Sequence, residues 1–475
     1  METSQKTDLG EMTAAELSAL FQSKQASPVE AAKAAFARID RFNPAVNAFA
    51  HIALETAMQE AQQSEKRWVN GTPMSPIDGV PTTVKEMTPV KGLPIRRGSV
   101  LGQKEPATQE FLIMDRLRAA GLTILGTTAA PEFAWKGVTH GPFTGNTLNP
   151  WNTDHASGGS SGGAAVAAAL NMGMLHEGSD GAGSIRIPAS FCGVVGMKPT
   201  YGWIPFDTPT PLFELAHRGP LTRTVEDAAL FMNATTGPTV SSRYGYCPTE
   251  VPDWKAALEN LSIEGMKIGF SRNLGYANVD PEVAASIDLA AKRMAEMGAI
   301  VEEIDPGFTN PQDALLTLWY AAEAKTVDLA KPTAEQLKLM DPGLLRICEK
   351  GRLISAGDYI DAEQVRADLK VTMARFHQRY DALMLPTMPL TALEAGVDFP
   401  GGVEGKDWSD WSPFTYPFNM TEQPAISIPC GFDSKGLPIG LQFVGPSYRD
   451  DIVLRLAAAY QHHYPESFPI SPILA

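Results

Sequence analysis

Cysteine is scarce in this chain. Cys192, Cys247, Cys348 and Cys430 are its only four, scattered without C-x-x-C spacing, which speaks against both a disulfide framework and a cysteine-based zinc site. No apolar run approaches the length needed to cross a bilayer, so no membrane partner is expected. The opening residues METSQKTDLGEM lack the basic and then apolar regions of a secretory signal, and the expected compartment is a reducing cytoplasm. Clustered positive charge is missing too. With a net charge of -15 and no visible Lys/Arg patch, a nucleic-acid partner is excluded. Internal repeats and low-complexity tracts are absent. The histidines number eight, and none lies in a motif that marks a catalytic base.

What is present reads as a large soluble α/β protein. The 475 residues are 44% hydrophobic and 20% charged, enough for a sizeable core. Thr13 with Glu16, and Ser27-Pro28 with Glu30, are two helix capping boxes, and Ala31, Ala35, Ile39 and Phe42 then recur at helical spacing. These helices form an N-terminal arm over residues 1–65. From Asp78 short apolar runs punctuated by Gly and Pro take over. Gly79-Val80-Pro81-Thr82-Thr83-Val84 predicts a strand that delivers Lys85, residues 108–120 a helix stopped by Gly121, and Leu122–Leu125 the next strand. At 281–304 a helix capped by Asp280 and stopped by Gly298 precedes another strand. The alternation predicts an α/β fold: a large mixed, mostly parallel β-sheet flanked by helices on both faces. Residues 66–237 and 379–475 form its core. Residues 238–378 read as an inserted helical cap with its own strand near Lys267–Phe270. Residues 391–416 read as one long loop.

The richest stretch for chemistry is D-H-A-S-G-G-S-S-G-G at 154–163. Gly158-x-Ser160-x-Gly162 formally matches a nucleophile elbow, but the elbow needs a strand before its serine, and residues 149–155 read as a loop. A phosphate loop is disfavoured because no Lys-Ser/Thr follows the last glycine. A third reading makes the glycines packing residues and the serines helix caps. That reading leaves Asp180-Gly181-Ala182-Gly183-Ser184 unexplained. There, consecutive backbone N–H groups of small residues lead to a serine, as an oxyanion hole requires. With no histidine marked as base, a buried lysine can serve, because desolvation lowers its pKa. Lys85, ending an apolar strand, is placed for that work.

Lys85 after G-V-P-T-T-V, G-G-S-S-G-G at 158–163 and G-S-I-R-I-P-A-S-F-C-G-V-V-G-M-K-P-T-Y-G at 183–202 resemble the amidase signature family. G-P-L-T-R-T-V-E-D at 219–227 and Q-P-A-I-S-I-P at 423–429 extend the resemblance over nearly the whole chain. The resemblance implies the amidase signature fold and a Ser-cisSer-Lys triad: Ser184 as nucleophile, Ser160 as bridging serine behind a cis peptide bond, and Lys85 as base. It implies an oxyanion hole at Gly181, Ala182, Gly183 and Ser184, with Ser161 supporting the proton network. Asp180 and Arg186 are expected to pair as scaffold. No cofactor and no metal are implied.

Two departures matter. Ala182 stands where many members carry glycine. Ile187 stands where the glutaminase components of tRNA-dependent amidotransferases carry Gln, which favours a free-standing hydrolase, monomer or homodimer, over a glutaminase component that needs a partner protein. Phe133 and Trp135, Trp319 and Tyr320, and Trp408, Trp411 and Phe414 are candidate pocket residues. Together they favour an apolar or aromatic small-molecule amide, with anilides, cyclic amides and carbamates all chemically close.

Overall fold

The computed structural model describes residues 8–207, 210–239, 249–402, 407–468 and 470–474. The start of the N-terminal arm, Cys247 in the expected cap and residues 403–406 of the 391–416 loop lie outside the described residues.

Both expected capping boxes form, at Thr13/Glu16 and Ser27/Glu30, and start helices Ala14–Gln22 and Pro28–Val46. The frame of the molecule is one 11-stranded sheet. Its spatial order is Phe49–Ile52, Thr123–Thr128, Pro81–Lys85, Leu175–Asp180, His217–Thr222, Val195–Lys198, Ala425–Phe432, Pro438–Val444, Ala382–Pro386, Lys267–Phe270 and Ile300–Glu303. The sheet is mixed. Its parallel pairs lie in two wings, centred on Pro81–Lys85 and Lys267–Phe270. The middle of the sheet and the edge strand Phe49–Ile52 pair antiparallel.

Helices cover both faces, and the side-chain alternation of a strand shows how. On Val195–Lys198, Val195 and Met197 join a core cluster with the helices Val225–Thr235, Pro281–Glu296 and Asp450–His463. Gly196 between them faces the other way, where a Cβ would lie 2.5 Å from Ala189. That second face carries the helices Gly162–Ala169 and Arg186–Cys192, packed against Ala35, Phe36, Ile39 and Phe42 of the arm.

Residues 238–378 are not a unit with a strand of its own. Lys267–Phe270 pairs with Ala382–Pro386 and Ile300–Glu303 inside the main sheet. The helices Gln312–Ala330, Pro342–Gly351 and Ala356–Phe376 contribute to another cluster that includes Trp319, Leu344 and Leu369, and the end of the last packs Met373 and Phe376 on the sheet beside Leu383 and Leu385.

Candidate active site

Lys85 is the last residue of its strand and has no exposed surface. Its Nζ donates to Ser160 Oγ at 2.8 Å, Ser161 Oγ at 2.9 Å and Ser179 Oγ at 3.0 Å. Burial draws its pKa down to about 7, outweighing the upward pull of Glu177 and Asp180; Arg218 adds to the lowering. Near neutral pH the amine is therefore available as a base.

The glycine-rich stretch brings the two serines to this amine. Gly159–Ser160 is a cis peptide bond. At Gly159 a Cβ would lie 2.6 Å from the Val138 backbone, so no other residue fits without displacing that strand of chain. Ser161 is the N-cap of helix Gly162–Ala169, yet its side chain makes no capping hydrogen bond. It accepts from Lys85 and donates to the Ser179 carbonyl at 3.1 Å. The helix-capping reading of this serine is thereby overturned.

Ser184 follows the strand Leu175–Asp180 by a tight turn. It is tied to the lysine cluster by its carbonyl, which accepts from the Ser161 N–H at 3.1 Å. Among the described residues no hydrogen bond engages the Ser184 hydroxyl, and the residue is 5% exposed. The N–H groups of Gly181, Ala182 and Ser184 likewise have no partner among the described residues. Gly183 does not join them, because its N–H donates to Asp180 Oδ1 at 2.6 Å. Its φ of +129° is a glycine conformation, and Thr415 crowds the place of a Cβ. Ala182 sits at an ordinary negative φ, so alanine carries no backbone strain there. Its carbonyl accepts from Thr415 Oγ1 at 2.7 Å.

Beneath the turn, Arg186 grips Asp180 with two bonds of 3.0 Å. Burial alone would raise the Asp180 pKa, but the Arg186 charge and hydrogen bonds, with Asn419, hold it well below the carboxylate range. Arg186 also reaches the Thr415 carbonyl at 2.9 Å and Gln442 at 2.8 Å. Asn419 adds bonds to the Asp180 carbonyl at 2.8 Å and carboxylate at 2.9 Å. With every side chain of this group buried, the turn is fixed from below.

Above it lies an aromatic wall. Trp319 stands 3.0 Å from where a Cβ of Gly181 would be, its indole N–H donates to the Trp135 carbonyl at 3.1 Å, and it meets Trp408 edge-on at 5.6 Å. Phe133, Trp135, Trp319, Tyr320, Trp408 and Trp411 share one buried cluster with Ala182 and Ile187. Phe414 does not belong there. It is turned into the core beside Phe418, Leu385 and Val444. Asp398 in the 391–416 loop accepts from Lys136 at 2.7 Å and lies 3.0 Å from His140 Nε2, and its carbonyl accepts from Trp411.

Ser179, Glu177, Arg218 and Asn419 belong to this site as much as the residues that the motifs single out. For Ser179, Glu177 and Arg218 the one signal in the sequence is polar and charged side chains, H-E-G-S-D and H-R-G, inside strands buried almost throughout; Asn419, in the short helix Pro417–Met420, has none. Among the described residues no cluster of His, Cys, Asp and Glu side chains could hold a metal ion, and no helix is long and apolar enough to cross a membrane.

The Amidase family model matches residues 30–454. An acylamidase of Rhodococcus erythropolis is 36% identical over 456 residues, 95% of each chain. A glutamyl-tRNA(Gln) amidotransferase component from a Cyanothece species is 33% identical, covering 95% of this chain and 97% of its own. A solved bacterial aryl acylamidase of the amidase signature enzymes superposes with a TM-score of 0.90 at 28% identity, over 97% of this chain and 98% of that one. Fold and matches together define a hydrolase of the class that acts on amides. The chain belongs to the amidase signature family.

Proposed function

We propose that the protein is a serine amidase that cleaves the C–N bond of apolar or aromatic carboxylic amides through an acyl-enzyme on Ser184. The observation that carries this reading is Lys85, fully buried, bonded to Ser160 at 2.8 Å and drawn to a pKa of about 7. In this mechanism the Ser184 proton passes to Ser160 Oγ while the Ser160 proton passes to neutral Lys85, and Ser184 Oγ adds to the amide carbon. The oxyanion lies against the N–H groups of Gly181, Ala182 and Ser184, each such donor being worth about 3 to 4 kcal/mol. Collapse expels the amine, which takes the proton back through Ser160. Water then attacks the Ser184 ester and gives a proton to the same relay, which passes it to Ser184 Oγ as the carboxylic acid is released.

The substrate assignment rests on the aromatic wall beside Gly181 and agrees with the acylamidase and aryl acylamidase relatives. Anilides fit it best in chemistry; cyclic amides and carbamates present the same attackable carbonyl. The second reading is a glutaminase component of a larger complex, which the amidotransferase relatives favour. Against it stands Ile187, an apolar residue fully buried in the aromatic cluster, at the position where glutaminase components carry Gln. The protein thus acts alone, as monomer or homodimer.

The test is a panel of anilides, primary amides, cyclic amides and carbamates, turned over by the purified chain with and without EDTA. Cleavage of anilides in EDTA is expected. Turnover of glutamine alone, or loss of activity in EDTA with recovery on adding Zn²⁺, overturns the reading. A second expected result concerns pH: kcat/KM rises through about pH 7 as Lys85 becomes neutral. A profile flat from about pH 5 to pH 9 contradicts the lysine base.

A further inference from the structure

We propose that Glu177 and Arg218 are positioning residues for Lys85: the Glu177 carboxylate grips the lysine from the neighbouring strand, and Arg218 locks and neutralises that carboxylate. The inference rests on the reading of Lys85 as the base. The geometry that carries it lies at a break in the sheet. Pairing between Pro81–Lys85 and Leu175–Asp180 ends at Thr83 opposite His176, so the Lys85 N–H has no carbonyl across the gap. Glu177 Oε2 takes that N–H at 2.9 Å. Three residues on, the Thr88 hydroxyl meets the same carboxylate at 3.2 Å, and the Thr88 N–H donates to the Lys85 carbonyl at 2.8 Å. One buried carboxylate therefore holds both ends of the turn that carries the amine.

Arg218 completes the device from the strand on the far side. Its Nη1 donates to Glu177 Oε1 and, at 2.6 Å, to Thr88 Oγ1. The guanidinium lies 4.8 Å from the centre of the Phe206 ring and 5.6 Å from that of Phe111, which fixes its plane. Glu177 has no exposed side-chain surface and that of Arg218 is 6% exposed, so water screens this pair little. An ion pair of this kind does not stabilise a fold better than apolar side chains of the same shape. Its location against the base gives it another use.

The charged groups facing Lys85 are Glu177 and Asp180 from one strand and Arg218 from the next. Asp180 is committed to Arg186. His176, on the same strand, is bonded to Thr83 and buried neutral, and Glu86, next to Lys85 in the chain, is buried, which raises its pKa to about 7, and is not among the charges that act on the amine. Glu177 and Arg218 thus act on the amine with opposite signs, and removing either leaves the other uncompensated.

The test is the pH dependence of kcat/KM for the wild type, Glu177→Gln, Arg218→Gln and the double variant, with Lys85→Ala as control. Gln at 177 keeps an acceptor for the Lys85 N–H and loses only the charge. Glu177→Gln is expected to move the acid limb down by about one pH unit and Arg218→Gln up by about one unit. Arg218→Gln should then lose about tenfold in activity below the limb and recover it at alkaline pH. In the double variant the limb returns close to its wild-type position, because the two opposed effects are removed together. Should Arg218→Gln fail to fold, Glu177→Gln and the double variant still decide the matter. Limbs that coincide with wild type in folded variants, with activity lowered equally at every pH or not at all, overturn the positioning role. If Lys85→Ala is inactive in that case, only this role fails; if Lys85→Ala is fully active, the lysine base fails with it.

Discussion

Ser184→Ala is expected to lower amide turnover by about 10⁴-fold or more, since losing the nucleophile of a serine hydrolase removes the covalent path altogether. The fold should be untouched. No hydrogen bond among the described residues ends on the Ser184 hydroxyl, so truncation leaves no buried partner unsatisfied. The backbone N–H of residue 184 remains in place, and binding of substrate should survive the loss of chemistry. Steady-state rates with an anilide, together with a thermal melt, check both halves. Wild-type activity in the purified variant would remove Ser184 from the mechanism.

Lys85→Ala is expected to cost about 10²- to 10⁴-fold, the range for loss of a general base. The rise in kcat/KM through about pH 7 should vanish with it, because that rise is the lysine becoming neutral. The fold should again survive, for a reason of sign. A lysine whose pKa is about 7 folded and about 10.4 unfolded weakens the folded state. The penalty is complete below the folded value and fades as pH climbs to the unfolded one, so at neutral pH alanine relieves it. Against this, the hydroxyls of Ser160, Ser161 and Ser179 lose a shared partner, at about 1 kcal/mol each. A variant that retains both full activity and the wild-type pH limb contradicts the lysine base.

Local physics was legible in the sequence, and distant pairing was not. The capping boxes at Thr13/Glu16 and Ser27/Glu30 need only residues three apart, and both form. The strand that delivers Lys85 shows in its Gly/Pro boundaries and β-branched run, and it ends at Lys85. The membership of Lys267–Phe270 in the main sheet depends on Ala382–Pro386, far along the chain, and no local pattern reports it. The antiparallel centre of the sheet is hidden for the same reason, since register follows from partners rather than from the strand itself.

Within the site, the motif residues Lys85, Ser160, Ser161, Asp180 and Arg186 stand out as small or charged residues in unusual runs. Gly183 does not separate from Gly181 by sequence, because only the position of the Asp180 carboxylate decides which N–H is occupied. Phe414 is likewise indistinguishable from Trp408 and Trp411 in one aromatic loop, until the direction of each side chain sends it to a different core. Glu177 and Arg218 resemble the outward residues of half-exposed strands. Their burial comes from layers above and below that the strand sequence does not announce.

The proposed mechanism turns on a covalent acyl-enzyme at Ser184. Its most direct test is intact-protein mass spectrometry after brief mixing with a slowly deacylating activated carbamate, followed by peptide mapping. The expected result is a mass gain of one carbamoyl group, located on Ser184 and absent from Ser184→Ala. A gain that persists in Ser184→Ala, or that maps to Ser160, would contradict it.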